Sequence, residues 1–348
     1  QAANPNHKPI GDLEIYTPAK LGTATIFMML DTSGSMGDGW IDDDYGSSYR
    51  NCSSSSINSE KVRAVIYKRK YKRTITGELF RDEDGKLVEI KDLDNIHKTI
   101  EFTPKGCTKN KVTRYNRLVR LQIALIELLA DDVFKANDGS INDTGSLQDD
   151  YEIGLGNYSY NGSGRAGVVL VPTRKLTPEQ RVLLIEATQK LEDTGGTPTA
   201  HALAESGAYM MGTTTGGGSD SGFKYSVDVS KSNGNNRNSS YNSPLNTDEC
   251  SGNGIYILTD GEPNNSSTSR AKTVMNSSLS YSSSLSVNSC NGLSGGSDNG
   301  AWGCMADYAS LLRNPANNPL GLSIKTATVG FGKDFAGLTG KREIIVNG

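Results

Sequence analysis

The uncharged run Ala24-Thr25-Ile26-Phe27-Met28-Met29-Leu30 stops abruptly at Asp31. An unbroken apolar segment of this length fits a β-strand covered on both faces, the condition of strands in a parallel sheet. Gly254-Ile255-Tyr256-Ile257-Leu258-Thr259 repeats the pattern and stops at Asp260. Strands of that kind need helices above and below them, and helical periodicity is present. Leu118, Leu121, Leu125, Leu128 and Leu129 mark one helix from Tyr115 to near Phe134. Thr177-Pro178-Glu179-Gln180 opens a second, with a capping threonine and proline at the first helical position, expected to run to about Leu191. A Gly-rich turn, Thr194 to Thr199, leads into a third from Ala200 to about Met211, and a short helix spans Ala301 to Arg313. Further strands are expected at Tyr151–Tyr158, Ala166–Val171 and Ser323–Val329. Strands alternating with helices predict one Rossmann-like α/β domain with a six-stranded, mostly parallel sheet and helices on both faces.

The chain has 348 residues, yet only 35% are hydrophobic, so that framework must carry long polar insertions. One is expected at 37–113, with an acidic patch at Asp42–Asp44, a serine run at Ser53–Ser56 and a β-like stretch from Val62 to Ile75. Asp84-Gly85, between Glu78-Leu79-Phe80 and Leu87-Val88-Glu89-Ile90, reads as a hairpin turn. The second, 212–250, is mostly Gly, Ser, Asn and Thr and is expected to bury little, as an insertion or flexible loop.

A formal net charge of −3 provides no global field to attract nucleic acid or an anionic membrane. No stretch approaches the roughly 18 apolar residues of a membrane span. The opening Gln1-Ala2-Ala3-Asn4-Pro5 lacks the apolar segment of a signal peptide, as expected of a soluble or already processed chain. The five cysteines are scattered and far from the three histidines, His7, His97 and His201, which argues against zinc. In so Ser- and Asn-rich a chain, disulfides suit an oxidising compartment; Cys52–Cys107 and Cys290–Cys304 are the expected pairs, with Cys250 left over. Reduced cysteines in a cytosolic protein are the competing reading.

Ligands of open α/β sheets bind where the strands' carboxyl ends meet loops and helix amino termini. Three polar clusters fall at such places: Asp31-Thr32-Ser33-Gly34-Ser35 after the first strand, Thr197 in the turn before the third helix, and Asp260 after the Ile-Leu-Thr strand. Asp31, Ser33, Ser35, Thr197 and Asp260 offer oxygen only, which favours a hard divalent cation, Mg²⁺ foremost, or Mn²⁺ or Ca²⁺. Two carboxylates and three hydroxyls leave water on such an ion, and a partner's carboxylate can take a water position. The set therefore points to a metal-dependent receptor for an acidic group. No general base or nucleophile is placed beside it, so a binding module is expected rather than an enzyme.

These residues resemble the metal-ion-dependent adhesion site of von Willebrand factor A domains: Asp31-x-Ser33-x-Ser35, a separate Thr197, and Thr259-Asp260-Gly261, in the family's order, over a framework from about 20 to 335. The resemblance implies that Asp31, Ser33 and Ser35 contact the metal directly or through water, that Thr197 completes one face and that Asp260 acts mainly through water. The helix follows the first motif at once in most of that family; here 37–113 intervene, which makes that insertion a candidate for partner selection. The long insertion, Thr194-Gly195-Gly196-Thr197-Pro198-Thr199, Leu258 to Asn264 and Ala301-Trp302-Gly303-Cys304-Met305 before Thr328-Val329-Gly330-Phe331-Gly332 further resemble the amino-terminal region of the PilC/PilY type IV pilus tip adhesins. That implies an extracellular module at a bacterial pilus tip, lacking the family's carboxyl-terminal β-propeller. Its partners would be a host-cell surface protein or matrix receptor, bound through an acidic residue, and minor pilins, in support of host-cell adhesion, pilus biogenesis and twitching motility. The alternative is an intracellular von Willebrand-type scaffold subunit of a multiprotein machine.

Several features have plainer explanations. Asp31-Thr32-Ser33 resembles an aspartic-protease motif, but Ser33 interrupts it and no second copy supplies the paired carboxylate. Asp82 to Gly85 lacks the distant Glu of a calcium loop and reads as a turn. The acidic trio Asp42–Asp44 reads as a solvated loop, Asn157-Tyr158-Ser159 as one of several chance glycosylation triplets, and His201 as a residue on a helix surface.

Overall fold

The computed structural model describes residues 24–37, 57–59, 61–83, 85–109, 112–135, 141–143, 147–160, 165–232, 239–245, 252–279, 287, 290 and 300–330. In chain order its strands are β1 (Ala24–Asp31), β2 (Ile57–Ser59), β3 (Val62–Tyr71), β4 (Glu89–Phe102), β5 (Lys105–Lys109), β6 (Val112–Arg114), β7 (Asp132–Lys135), β8 (Ile141–Asp143), β9 (Glu152–Tyr158), β10 (Val168–Lys175), β11 (Gly252–Thr259) and β12 (Ile324–Gly330). The helices are α1 (Arg117–Leu129), α2 (Pro178–Gln189), α3 (Thr199–Met211), α4 (Thr268–Ser278) and α5 (Trp302–Arg313).

The uncharged run is the centre of the main sheet, ordered β10-β9-β1-β11-β12. β1 lies parallel to β11 and β9, with Leu30 opposite Leu258 and Asp31 opposite Tyr158; β12 continues the parallel set and only β10 is antiparallel. Strand alternation splits β1 between two cores. Phe27 and Met29 join the core under α3, α4 and α5, while Met28 and Leu30 join the one under α1 and α2. Phe27, Met29 and Leu30 are wholly buried, each worth about 1.5–3 kcal/mol of transfer free energy. The result is a mostly parallel sheet with helices on both faces. It has five strands among the described residues where six were expected; residues 331–348, after β12, lie outside them. No helix among the described residues is long and apolar enough to cross a membrane.

Local chemistry sets the helix starts. Thr177 caps α2 by accepting the Gln180 N–H at 3.3 Å, with Pro178 in its first turn. Asn116 caps α1 through the Val119 N–H at 2.8 Å, and its amide reaches back to the Gly37 carbonyl at 3.4 Å, bringing the helix to the loop after β1 across the insertion. α1 is shorter than its periodicity suggests. It stops at Leu129 because Asp131 is drawn to the Tyr67 N–H at 2.8 Å, and Asp132–Lys135 pair with β3 as β7 instead. α3 is buried on every side, its polar Thr199, His201, Glu205 and Ser206 included. A Cβ on its Gly207 would come within 2.2 Å of the Tyr308 hydroxyl, so glycine lets α5 approach.

Strands of the stretch 37–113 build two further sheets, β2-β5-β6 and, with β7 and β8 from beyond α1, β4-β3-β7-β8. The Lys72 N–H and Val88 carbonyl, 2.6 Å apart, extend the β3–β4 pair beyond the strand ends, and Gly85 turns the chain with φ +79°. A buried ion network fastens this sheet to the framework. Arg69 bonds both oxygens of Asp131, at 3.1 Å each, and both of Asp149, at 2.6 and 2.9 Å. Arg181, from α2, bonds Asp149 at 2.8 Å. Burial would raise the Asp149 carboxyl, but the Arg69 and Arg181 guanidiniums outweigh it and hold it below its ordinary value.

Two further expectations fail. The 212–250 stretch was expected to bury little, yet Phe223, Tyr241 and Leu245 join the main core. Wholly buried Glu205 of α3 organises it by accepting the Thr215 hydroxyl at 2.6 Å, the Gly222 N–H at 2.8 Å and the Tyr241 hydroxyl. A few well-placed apolar groups suffice once a buried carboxylate satisfies the backbone around them. His201 is no surface residue but fully buried, since α3 has no exposed face; its Nδ1 hydrogen-bonds the Arg165 carbonyl at 2.6 Å. Cys290 and Cys304 form a disulfide. Cys107 is also disulfide-bonded; Cys52 and Cys250, like Asp42–Asp44, Ser53–Ser56 and Asp84, lie outside the described residues.

Candidate metal centre

Parallel pairing in register brings the ends of β1 and β11 side by side, and with them Asp31 and Asp260, both fully buried. The Asp31 carboxylate organises the junction. One oxygen accepts the Ser33 N–H at 2.8 Å, a local turn closed by the aspartate's own side chain. The other accepts the Thr259 hydroxyl at 2.9 Å and, at 3.4 Å, the Asp260 N–H. Burial lifts the Asp31 carboxyl to about 6; the Ser33 hydrogen bonds pull it down, the charge of Asp260 adds to the rise and the Thr259 hydroxyl opposes it. An ionised Asp31 is thus undersupplied with positive charge.

Beyond Asp31 a short chain of oxygens crosses between the loops. Ser33 Oγ lies 3.0 Å from Ser35 Oγ, and Ser35 Oγ donates to Asp260 Oδ1 at 2.8 Å. The other Asp260 oxygen takes Arg117 Nη1 at 3.0 Å, and the same nitrogen is 3.3 Å from the Ser35 carbonyl. Arg117 stands in the first turn of α1, which the Asn116 cap has placed here. Its guanidinium neutralises part of the Asp260 charge from one side and leaves Oδ1 turned toward the serines.

The third segment is tied in through its backbone. Gly34 donates to the Gly195 carbonyl at 3.0 Å and Thr194 to the Thr32 carbonyl at 2.8 Å. Thr197 is buried and pairs reciprocally with the loop after β11: its N–H meets Asn264 Oδ1 at 2.9 Å, and the Asn264 N–H meets its carbonyl at 2.9 Å. A Cβ on Gly196 would sit 2.0 Å from Asn265 Nδ2 and 2.7 Å from Asn264 Oδ1, so only glycine permits that pairing. Behind the loops, Asn157 donates to Thr32 Oγ1 at 2.9 Å and buried Tyr158 donates to the Leu258 carbonyl at 3.0 Å.

All five expected residues therefore lie on three loops linked by direct hydrogen bonds, with Ser33, Ser35 and Asp260 in side-chain contact. Arg117, Asn157 and Asn264 were not expected as site residues, and Thr259 was expected only as part of the Thr259-Asp260-Gly261 motif, without its bond to Asp31. Arg117 carried a legible hint, a basic residue at the start of the helix that follows the insertion; the asparagines carried none, since their role depends on loop geometry.

The donor set fits a hard cation. Every side-chain donor is a carboxylate or hydroxyl oxygen. In the octahedral shell of Mg²⁺, with oxygens about 2.0–2.1 Å from the ion, neighbouring oxygens stand roughly 2.8–3.0 Å apart. The Ser33–Ser35 and Ser35–Asp260 separations, 3.0 and 2.8 Å, have that spacing, and serine hydroxyl protons rotate to suit their surroundings. The Ser33 hydroxyl bonds that of Ser35, and Ser35 in turn donates to Asp260. Compared with protein-family models, curated proteins and solved structures, the chain gives no match.

Proposed function

We propose that the three-loop cluster binds a divalent cation, Mg²⁺ foremost with Mn²⁺ or Ca²⁺ as substitutes, and that the chain is a metal-dependent binding module of the von Willebrand factor A type. The observation that carries this reading is the run of oxygens from Ser33 through Ser35 to Asp260, held on the loops that follow two adjacent strands and spaced like neighbouring ligands of one small ion. Ser33, Ser35 and Asp260 would hold the ion, with Thr197 closing one side. Asp31, already engaged by Ser33 and Thr259, would supply negative charge and fix the loop. Bound there, a cation with few carboxylate ligands supplies a water position that an acidic group of a partner can occupy. The chain's own contribution is orientation: Asp31 fixes the Ser33 backbone, Arg117 offsets Asp260, and the Thr197–Asn264 pair sets the height of the third loop.

The biological setting proposed is the tip of a bacterial type IV pilus, by the resemblance of the loops and the 37–113 insertion to PilC/PilY adhesins. A host surface or matrix protein would present the acidic group, minor pilins would be the neighbours in the fibre, and pilus biogenesis and twitching motility would depend on the module. The Cys290–Cys304 disulfide supports an exported chain over an intracellular scaffold. The test is pilus-dependent adhesion after Asp31→Ala, with the fold checked by thermal melting. The proposal expects a folded protein that no longer adheres; a folded variant with normal adhesion would refute it.

A further inference from the structure

Between α2 and the ends of β9 and β10 lies a groove of about 410 Å³. Leu170, Leu183, Ala187 and Leu191 give it apolar walls, and Asn157 and Ser159 add polar groups. Ser159 is fully buried, and neither its Oγ nor the buried Asn157 Oδ1 has a hydrogen-bond partner. Buried polar atoms are nearly always paired, so two unpaired ones lining one groove ask for a ligand that brings a donor. The groove also adjoins the metal loop: Asn157 is bonded through its amide nitrogen to Thr32 Oγ1 at 2.9 Å, and Thr194, another lining residue, donates to the Thr32 carbonyl at 2.8 Å.

We infer that this groove is a second contact site for the protein partner and takes one of its tyrosine or tryptophan side chains. The chemistry narrows the occupant. A purely aliphatic side chain would match the walls but leave Ser159 Oγ and Asn157 Oδ1 unpaired in a drier site. A cationic one would meet Glu186 already held by Lys98 at 2.5 Å and Glu192 with Lys190 nearby in the same lining, and would still leave the two neutral buried acceptors beside an apolar wall that it does not match. An aromatic body with a hydroxyl or indole N–H at its tip satisfies both halves, and such side chains anchor protein interfaces for that reason. The identity of the partner rests on the loop reading above, whereas the aromatic preference of the groove does not.

The test is an NMR titration of the whole chain with N-acetyltyrosinamide, with N-acetylleucinamide as the aliphatic control, alongside a Mg²⁺ titration of the same samples. Saturable shifts at Leu170, Leu183 and Leu191 are expected with the tyrosine probe and not with the leucine one. Ala187→Phe, which fills the groove, should abolish them. Ser159→Ala, which removes a hydroxyl without a partner and so leaves the fold intact, should weaken binding about five- to tenfold. Asp31→Ala should keep the tyrosine response and lose the Mg²⁺ response. Absence of saturable binding, equal binding of the leucine probe, or binding unchanged by both groove variants would overturn the proposal. A protein that binds the probe but ignores Mg²⁺ would overturn the loop reading alone.

Discussion

Replacing Asp31 by asparagine should make the metal-free protein more stable near neutral pH while removing its response to cations. The folded chain lifts this carboxyl from its ordinary 3.8 to about 6. That is about two pH units, or roughly 3 kcal/mol, by which folding disfavours the ionised form at pH 7.5. The sign follows from the direction of the shift: a carboxyl raised on folding contributes stability below about pH 4, and that contribution is lost as the pH rises through 6. Asparagine is neutral at every pH and escapes the penalty. Its amide oxygen can still accept the Ser33 N–H, and the Thr259 hydroxyl can reverse to accept from the new NH₂, since it already has the Gly261 carbonyl within 3.2 Å as another acceptor. The Asp260 N–H, at 3.4 Å from the lost oxygen, goes unpaired, which returns about 1 kcal/mol. The net gain is about 2 kcal/mol, or about 3 °C in melting temperature for a chain this long. Differential scanning calorimetry with and without EDTA and Mg²⁺, at pH 7.5 and pH 4, would measure it. Asp31→Asn should melt higher than wild type at pH 7.5 in EDTA, match it or fall below at pH 4, and gain nothing from Mg²⁺. A variant that melts lower at pH 7.5 in EDTA, or gains as much from Mg²⁺ as wild type, would refute the reasoning.

Arg69→Met should destabilise the protein by about 3 kcal/mol, because the fully buried Asp131 carboxylate then keeps only Lys91 at 3.8 Å and the Tyr67 N–H at 2.8 Å; a urea midpoint within error of wild type would count against the ion network as the fastening of the inserted sheet. Gly196→Ala should leave the melting temperature within a few degrees but weaken the Mg²⁺ response, since the new Cβ displaces Asn264 and Asn265 from the Thr197 turn; calorimetric titration with Mg²⁺ checks it. Burial pushes the Glu205 carboxyl up to about 7 against the hydrogen bonds from Thr215 and Tyr241. Its contribution to stability is therefore present below about pH 4.5 and lost as the pH rises through 7. Unfolding free energies from urea titrations between pH 5 and 8 should fall for wild type, by up to about 3 kcal/mol from this group, and run flatter for Glu205→Gln.

The parts of the fold that burial alone dictates were legible in the residues. β1 and β11 announce themselves because a strand covered on both faces has no polar positions to spare, and α2 because Thr177 and Pro178 mark its start. α4 was not foreseen: Thr268–Ser278 places only Ala271, Val274, Met275 and Ser278 in the core, too few to show a period against serine and threonine neighbours. The end of α1 was misjudged because Val133 and Phe134 continue an apolar pattern that either a helix or a strand can use, and pairing with β3 decided the matter. The expected site residues fall on linked loops because Asp31 and Asp260 sit at the ends of adjacent parallel strands. Asn157 and Asn264 entered through contacts between segments far apart in sequence, which no local pattern encodes, whereas Arg117 was marked only by its place at the start of α1. His201 and the 212–245 stretch were misread for one reason: composition measures how much a segment can bury, not where a single buried carboxylate such as Glu205 will anchor it.

The most direct test is anomalous diffraction from crystals soaked in MnCl₂. The account predicts a single strong peak among the loops, in direct contact with Ser33 Oγ, Ser35 Oγ or Asp260 Oδ1. Density without such a peak would contradict it.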